Sequence, residues 1–431
     1  VRAYDPRTGE LAWAWDMGRE GNTTLPPQGE TYTRGTPNVW SLTSADDELG
    51  LVYVPTGNAT PDYFGGHRTE VMDKYASSIV AIDAKTGLTR WHFQTTHHDI
   101  WDYDVPSQPT LVDLTISGER RKTVIVPTKR GELFVLDRET GEPITEVTER
   151  PVPQTDLPNE RSSATQPFST GMPSFAYPLI RDEDTIGITP FDQMACRQTL
   201  RNLRYEGPMT PPSVQGTLLY PGPAGGMNWG SVAVDEQRQL MVVNNMHLPW
   251  QVHMIAREND ARRSEADGFA RGYGIGGPQR GTPLAAKVEL FSSPLSIPCL
   301  KPPYGEIAVV DMTTQEIVWR RGFGALDIGL PYSAGSFVTA SGLIFNAGVM
   351  DGKLRAIDVE NGELLWSSDL ERSSGGTPMS YISSASGKQY ILVLEPAGGG
   401  RPDREESHNA DSAVESAPTF SGKVIAYALG D

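Results

Sequence analysis

Asp83-Ala-Lys-Thr-Gly-Leu-Thr-Arg-Trp91 decides the fold, because the same text returns along the chain. It recurs as Asp5-Pro-Arg-Thr-Gly-Glu-Leu-Ala-Trp13, as Asp311-Met-Thr-Thr-Gln-Glu-Ile-Val-Trp319 and as Asp358-Val-Glu-Asn-Gly-Glu-Leu-Leu-Trp366. A fifth copy, Asp137-Arg-Glu-Thr-Gly-Glu-Pro143, lacks the Trp. Several copies follow a short β-branched run such as Ser78-Ile-Val-Ala-Ile-Asp83 or Ile307-Ala-Val-Val-Asp311. Within the repeat, Asp can bond its own backbone and Gly tolerates positive φ, so Asp-x-x-Thr-Gly suits a hairpin turn. The Trp eight residues after Asp then enters the next strand. Self-similarity of this kind marks an array of supersecondary units.

Working outward, a second theme precedes several copies: a polar start, then two strands around a tight turn. It reads Trp40–Val54, Trp229–Val243 and Ser336–Phe345. Together the two themes make a four-stranded sheet per repeat. Spacings of 54 residues (Asp83 to Asp137) and 47 (Asp311 to Asp358) suit propeller blades of roughly 40–50 residues. The 174-residue gap from Asp137 to Asp311 must hold at least one blade and insertions. Thirteen prolines from Pro143 to Pro223 predict a long irregular excursion there, with no helix. Residues 144–227 and 250–303 are read as long loop insertions. The final run, Lys423–Leu429, resembles Lys353–Asp358 and closes the count at about six blades, in part or whole.

Composition agrees with an all-β chain: 44 Gly and 34 Pro in 431 residues favour many turns between short strands. The formal charge of -17 repels a phosphate backbone and argues against nucleic-acid binding. No apolar run reaches the roughly 18–20 residues that span a bilayer. The chain opens on Val1 inside a repeat unit, so the N-terminal blades and any membrane anchor are expected upstream. Cys196 and Cys299 lack metal-type spacing; two buried thiols and a disulfide both remain open, the latter requiring an oxidising compartment.

The Asp-x-x-Thr-Gly-x-x-x-Trp repeat resembles the tryptophan-docking motif of the dehydrogenases that depend on pyrroloquinoline quinone (PQQ). Phe191–Arg197, Arg204–Gly207, Thr210–Thr217 and His97–Asp102 resemble the membrane-bound glucose, quinate and polyol branch. The resemblance implies an eight-bladed β-propeller, of which this chain supplies about the C-terminal six blades as part of a single domain. It also implies PQQ with calcium, or magnesium in its place. A sugar or polyol would be the substrate and ubiquinone the electron acceptor, at the periplasmic face of a bacterial inner membrane, with attachment through an upstream segment.

Alcohol oxidation by hydride transfer to a quinone needs a base, an electrophilic carbonyl and a Lewis acid to polarise it. In Thr95-Thr-His-His-Asp-Ile-Trp-Asp-Tyr-Asp104, three carboxylates fall within six residues, and by spacing alone this is an acidic loop. The resemblance singles out Asp102 as catalytic base and metal contact. It makes Asn58, in Thr56-Gly-Asn58, a metal ligand; these two residues cannot complete a calcium shell of six to eight oxygens. Trp40, 18 residues before Asn58, matches the indole floor under PQQ. Lys129, 27 residues after Asp102, matches the cation on the PQQ carbonyls, and Arg130 beside it is read as solvent-facing. Asn244 matches a PQQ-contacting amide, with Asn245 as fallback. Trp13, Trp91, Trp319 and Trp366 are read as docking residues between blades. Of His97 and His98, which point apart on a strand, one is expected to support the Asp102 loop and the other to pack.

Asn58 departs from what the glucose-specific members of that family carry at this position, so the resemblance implies quinate, shikimate or another cyclic polyol as substrate, with glucose as the alternative. A reading of another class is a non-catalytic propeller scaffold that binds proteins.

Overall fold

The computed structural model describes residues 1–35, 37–176, 179–259, 273–324, 328–331, 334–396 and 422–428. Its framework is a succession of antiparallel sheets. A pair, Arg2–Tyr4 with Leu11–Ala14, is followed by the four strands Ser44–Asp46, Leu51–Pro55, Ser78–Asp83 and Thr89–Gln94. Next comes the three-stranded sheet Thr110–Ile116, Glu119–Pro127 and Leu133–Asp137. Two more four-stranded sheets follow: Val232–Asp235, Leu240–Met246, Gly305–Asp311 and Glu316–Gly322, then Ser336–Val338, Leu343–Asn346, Lys353–Asp358 and Leu364–Asp369. A three-stranded sheet, Met379–Ile382, Gln389–Glu395 and Lys423–Ala428, comes last.

The alternation of side chains along one strand explains why these sheets stack. In Ser78–Asp83, Val80 and Ile82 join a core with Trp13 of the preceding sheet and Met17 just beyond it. Ile79 and Ala81 join another with Val124, Val126 and Phe134 of the following one. The same division places Met241, Val243 and Val310 against Val112, Leu114 and Ile125, while Val242, Ile307 and Val309 pack on Ile344 and Ile357. Leu354 and Leu370 then meet Val393 and Ile425. Central strands are therefore apolar on both faces. Each fully buried Ile or Val contributes roughly 1.5–3 kcal/mol.

The repeat acts at these seams. In all five copies the Asp Oδ1 accepts backbone N–H groups two and three residues on. The turn Gly takes positive φ (72–79°), and in the copy that starts at Asp311 Gln315 is forced to the same region at 59°. The Trp of one repeat lies against the turn Gly of the next: Trp13 on Gly87, Trp91 on Gly141 and Trp319 on Gly362, where a Cβ would meet the indole within 3 Å. The Nε1–H of Trp13 donates to the Ala84 carbonyl (2.8 Å) and that of Trp319 to the Val359 carbonyl (2.9 Å), each just after the repeat Asp. At the Trp91 seam the Tyr53 hydroxyl takes the equivalent Arg138 carbonyl (2.8 Å), leaving Trp91 Nε1 without a partner. Trp366 is 43% exposed and meets Tyr427 edge-on.

Residues between Asp137 and Val232, and between Met246 and Gly305, carry their own structure. Val147–Pro151 pairs with Thr165–Ser169, and Thr217–Leu219, Trp250–Ala256 and Leu284–Leu290 form a further sheet. The proline-rich stretch is not free of helix, as the sequence had suggested: Pro190–Asn202 is helical. Thr189 caps it by accepting the Asp192 N–H, and Pro190 stands in the first turn, where no N–H is needed. Proline starts this helix instead of breaking it. Cys196 on the helix is disulfide-bonded to Cys299, pinning the two inserted segments together across 103 residues. Among the described residues no helix is long and apolar enough to cross a membrane.

Candidate active site

The loop after strand Thr89–Gln94 carries the acidic run, and its backbone departs from ordinary geometry twice. His98 has φ 42° and Asp102 φ 64°, left-handed values that cost a non-glycine residue energy and persist only where surroundings impose them. Those surroundings are explicit. The buried Asp99 carboxylate accepts from Ser77 Oγ (2.6 Å) and the Trp101 N–H (2.9 Å). Trp101 Nε1 donates to the Thr210 carbonyl (2.8 Å). Arg68 donates to the Asp99 carbonyl and to those of Ala59 and Pro61. That guanidinium ties the loop bearing Asp102 to the segment bearing Asn58.

His98 is the second tie. Its Nδ1 lies 2.8 Å from Asp73 Oδ1, on the helix Glu70–Tyr75, and its Nε2 3.0 Å from Glu160 Oε1. The two carboxylates raise its pKa against the opposing effect of burial, and are themselves held low by it. His97 faces away, toward Gln94 and Glu149. His98 is thus the supporting histidine, but His97 does not pack: both stand in a turn and not on a strand, and the His97 side chain, 33% exposed, is held by Glu149.

Lys129 meets this loop from the turn after strand Glu119–Pro127. Its Nζ lies 3.0 Å from Asp102 Oδ1 and contacts Asp104 Oδ1 more closely still. The Lys129 and Asp104 side chains are each 6% exposed, whereas Asp102 retains 24%. Although that edge stays open, burial in the protein mass raises the Asp102 pKa well above the usual carboxylate range, with Asp104 and Asp62 adding to the rise and Lys129 opposing it. Lys129 is in turn held firmly protonated: burial opposes this, and the two carboxylates override it. The Tyr63 hydroxyl, 3.5 Å from Asp102 Oδ2, is that oxygen's neighbour. Asp62 is pushed up to about 6 by burial first and then by Asp104; its own solvent exposure screens part of that push.

Trp40 donates from Nε1 to Asp104 Oδ2 (2.6 Å) and stands edge-on to Trp229 at 6.3 Å, with the Lys129 ammonium 5.8 Å from its ring. Both indoles are largely open, 42% and 49% exposed. Asn58 is buried and locally bonded, Nδ2 to the Asp62 carbonyl (3.0 Å) and Oδ1 from the Ala59 N–H (2.8 Å). Beside it Gly57 is packed so closely that a Cβ would lie 3.3 Å from Asp104 Oδ2. Asn244 accepts from Ser336 Oγ (3.0 Å), and its buried Nδ2 has no partner. Asn245 turns its Nδ2 to the Phe175 carbonyl (3.0 Å) and His247, leaving Oδ1 unmatched.

These features fit a flat, oxygen-rich cofactor: an open indole face, a confined ammonium, and a buried amide donor left without an acceptor, which native interiors rarely tolerate. The donors near Asn58 and Asp102 are amide and carboxylate oxygens, the chemistry a hard cation selects. Among the described residues no group of three or more His, Cys, Asp and Glu side chains is arranged to hold a metal, so these oxygens form only part of a shell.

One expectation is corrected. Arg130 is buried, not solvent-facing: it pairs with Glu132 (2.8 Å) and donates to the Thr95 carbonyl (2.7 Å), because its turn is covered by Phe168 and neighbouring inserted segments. Sequence reasoning also missed Asp104, Tyr63, Arg68 and Glu160. Asp104 lay in plain view within the acidic loop; the other three owe their place to contacts across segments.

By architecture, then, the chain is a β-propeller of the tryptophan-docking type. It belongs to the PQQ family described as the glucose/ethanol/alcohol dehydrogenase β-propeller domain, whose model matches residues 1–391. It is 39% identical to the quinate/shikimate dehydrogenase (quinone) of Acinetobacter baylyi, covering 100% of this chain and 53% of that protein. To quinoprotein glucose dehydrogenase A of Acinetobacter calcoaceticus it is 41% identical, over 93% of this chain and 51% of the relative. The chain thus spans about half the length of these curated relatives. A europium-containing methanol dehydrogenase shares the fold, with a TM-score of 0.60 at 23% identity, over 92% of this chain and 61% of that one.

Proposed function

We propose that this chain is the C-terminal, base-bearing part of a quinoprotein dehydrogenase that oxidises a sugar or polyol alcohol and passes the electrons to a quinone. The observation that carries this reading is the Lys129 ammonium enclosed between Asp102 and Asp104 under the edge of Trp40. A protein-binding scaffold gains nothing from burying such an assembly.

When bound, PQQ supplies the carbonyl carbon that takes up the substrate hydride, and a calcium ion supplies Lewis-acid polarisation. The chain's residues do the rest. Asp102 Oδ1 is engaged by Lys129, which leaves Oδ2, on the open edge beside the Tyr63 hydroxyl, to accept the alcohol proton. Burial raises the carboxylate's proton affinity, as a base requires, and the ammonium opposes that rise. Trp40 would hold the cofactor ring by its face, Lys129 and Asn244 its oxygens, and Asn58 with Asp102 part of the cation shell. Upstream blades would complete the ring and the cage, and an upstream segment would hold the enzyme at the periplasmic face of the inner membrane.

Within this class a cyclic polyol of the quinate or shikimate type is favoured by Asn58 and by likeness to the Acinetobacter baylyi enzyme. Glucose is the second reading, supported by similar likeness to glucose dehydrogenase A. The test is Asp102→Asn in the full-length protein reconstituted with PQQ and calcium and offered a panel of both substrates. The variant should bind PQQ, read by its absorption, and lose at least a hundredfold in turnover. Near-normal turnover would sink the assignment.

A further inference from the structure

Lys129 and Asn244, the two side chains assigned above to the cofactor's oxygens, stand on different sheets. Lys129 lies in the turn between Glu119–Pro127 and Leu133–Asp137, and Asn244 on the strand Leu240–Met246. A cofactor held by both needs the two sheets in fixed register at this end, because a misplacement of about 1 Å costs on the order of a hundredfold in rate. The residue next to Asn244 supplies a bridge between them that the proposed chemistry leaves unused.

Successive side chains of a strand point to opposite faces. Asn244 accordingly meets Ser336, whereas Asn245, fully buried, turns to the other side. Asn245 Nδ2 donates to the Phe175 carbonyl at 3.0 Å, and the Phe175 N–H donates at 2.8 Å to the carbonyl of Gly131, two residues past Lys129. A second connection runs through the backbone. The Met246 N–H donates to the Gly226 carbonyl at 2.8 Å, and the Gly226 N–H donates to the carbonyl of Lys129 itself at 2.6 Å. Gly226 is wedged so tightly that a Cβ there would meet Asn245 Oδ1 at 2.6 Å and Gly131 Cα at 3.0 Å. Asn245 thus touches both connections into the Lys129 turn.

Behind Asn245 stands a buried pair that the mechanism does not use. His247 Nε2 lies 2.8 Å from Glu306 Oε1 and 3.0 Å from Asn245 Nδ2, and Glu306 Oε2 lies 3.0 Å from Arg320. Burial opposes ionisation of Glu306, but His247, Arg320 and the Asn245 amide together hold its pKa low. The amide therefore has the Phe175 carbonyl on one side and the His247 and Glu306 groups on the other. Rotating it would leave buried polar atoms without partners, which fixes its orientation.

We infer that Asn245, oriented by the His247 and Glu306 pair, is a positioning residue that sets the Lys129 turn against the Asn244 strand and so acts on the cofactor through Lys129. The inference rests on the dehydrogenase reading above and adds to it a residue that the reading leaves idle.

The test is a double-mutant cycle on PQQ affinity. PQQ is titrated into cofactor-free full-length protein in calcium-containing buffer, and binding is read by quenching of tryptophan fluorescence. Asn245→Ala should weaken binding at least tenfold when Lys129 is present and less than threefold in a Lys129→Met background, where the contact it positions is gone. Equal losses in both backgrounds, or no loss in either, overturn the inference. Asn245→Asp is the second arm and decides the matter if the alanine variant does not fold. It puts an oxygen in place of the Nδ2 donor, facing the Phe175 carbonyl and Glu306, where two neighbouring carboxylates favour a proton on one of them. That proton restores a donor to Phe175, so the affinity of Asn245→Asp relative to wild type should recover at least threefold from roughly pH 8.5 to roughly pH 5.5. A ratio constant over that range overturns the inference. Wild-type protein that fails to bind PQQ would refute the dehydrogenase reading and this inference with it; wild type that binds while the losses simply add refutes this inference alone.

Discussion

Removing the Lys129 ammonium is the sharpest test of the site's electrostatics. Its Nζ is 3.0 Å from Asp102 Oδ1 and in closer contact with Asp104. At an effective dielectric of about 20, a 3 Å pair of unit charges attracts by roughly 5–6 kcal/mol. Desolvation of both partners offsets most of that attraction, but Lys129→Met leaves two carboxylates facing each other without a cation. Breaking a buried pair from one side costs about 3–5 kcal/mol. Asp104 is the more deeply enclosed partner, at 6% exposure against 24% for Asp102, so most of the cost should trace to it. The assay is thermal unfolding of the full-length protein stripped of cofactor and metal. Lys129→Met should lower Tm by about 2–3 °C, at roughly 0.6 °C per kcal/mol for a protein about twice the length of this chain. Asp104→Asn keeps an oxygen for Trp40 Nε1 and should restore at least half of the loss when combined with Lys129→Met. Strictly additive effects of the two substitutions, or an unchanged Tm in Lys129→Met, would refute the idea that this ion pair is coupled and structural.

Two further outcomes can be measured. The His98 cluster should confer a pH window. The raised His98 pKa gives a contribution fully present below the ordinary histidine value of about 6.5 and lost as pH rises through the higher folded value. The lowered Asp73 and Glu160 pKa values give one present above about 4.5 and lost on acidification through the lower folded values. Proteolytic resistance of the 95–104 loop should therefore be greatest near pH 5–6.5, and His98→Gln should flatten the profile; a wild-type profile flat from pH 5 to 8 would contradict this. Gln315, held at φ 59° where the other repeats carry Gly, should accept Gln315→Gly with a gain of up to about 1 kcal/mol in chemical denaturation.

Much of the framework was legible in the chain because it is written more than once. Asp-x-x-Thr-Gly and a Trp at fixed distance encode a local event, a hairpin turn bonded to its own Asp, and local events survive in sequence. The same repetition identified Trp13, Trp91 and Trp319 as docking residues, since each seam reuses one contact. The helix Pro190–Asn202 was hidden because a proline count carries no position: Pro190 sits where the helix begins. Arg130 was misjudged because turns are usually exposed, and only the inserted strand Thr165–Ser169, with Phe168, covers this one.

At the site itself, the sequence determined which side chains are available: Asp102, Lys129, Asn58 and Trp40 at recognisable spacings, with Asn244 beside its alternative Asn245. Tertiary structure alone decided that Asp104 shares the ammonium with Asp102, that Tyr63 stands at the open carboxylate oxygen, and that Arg68 and His98 lock two loops together. These are contacts between segments brought together only when neighbouring sheets bury their apolar faces. Their energies depend on burial and on distances of about 3 Å, and neither quantity exists until the chain is folded.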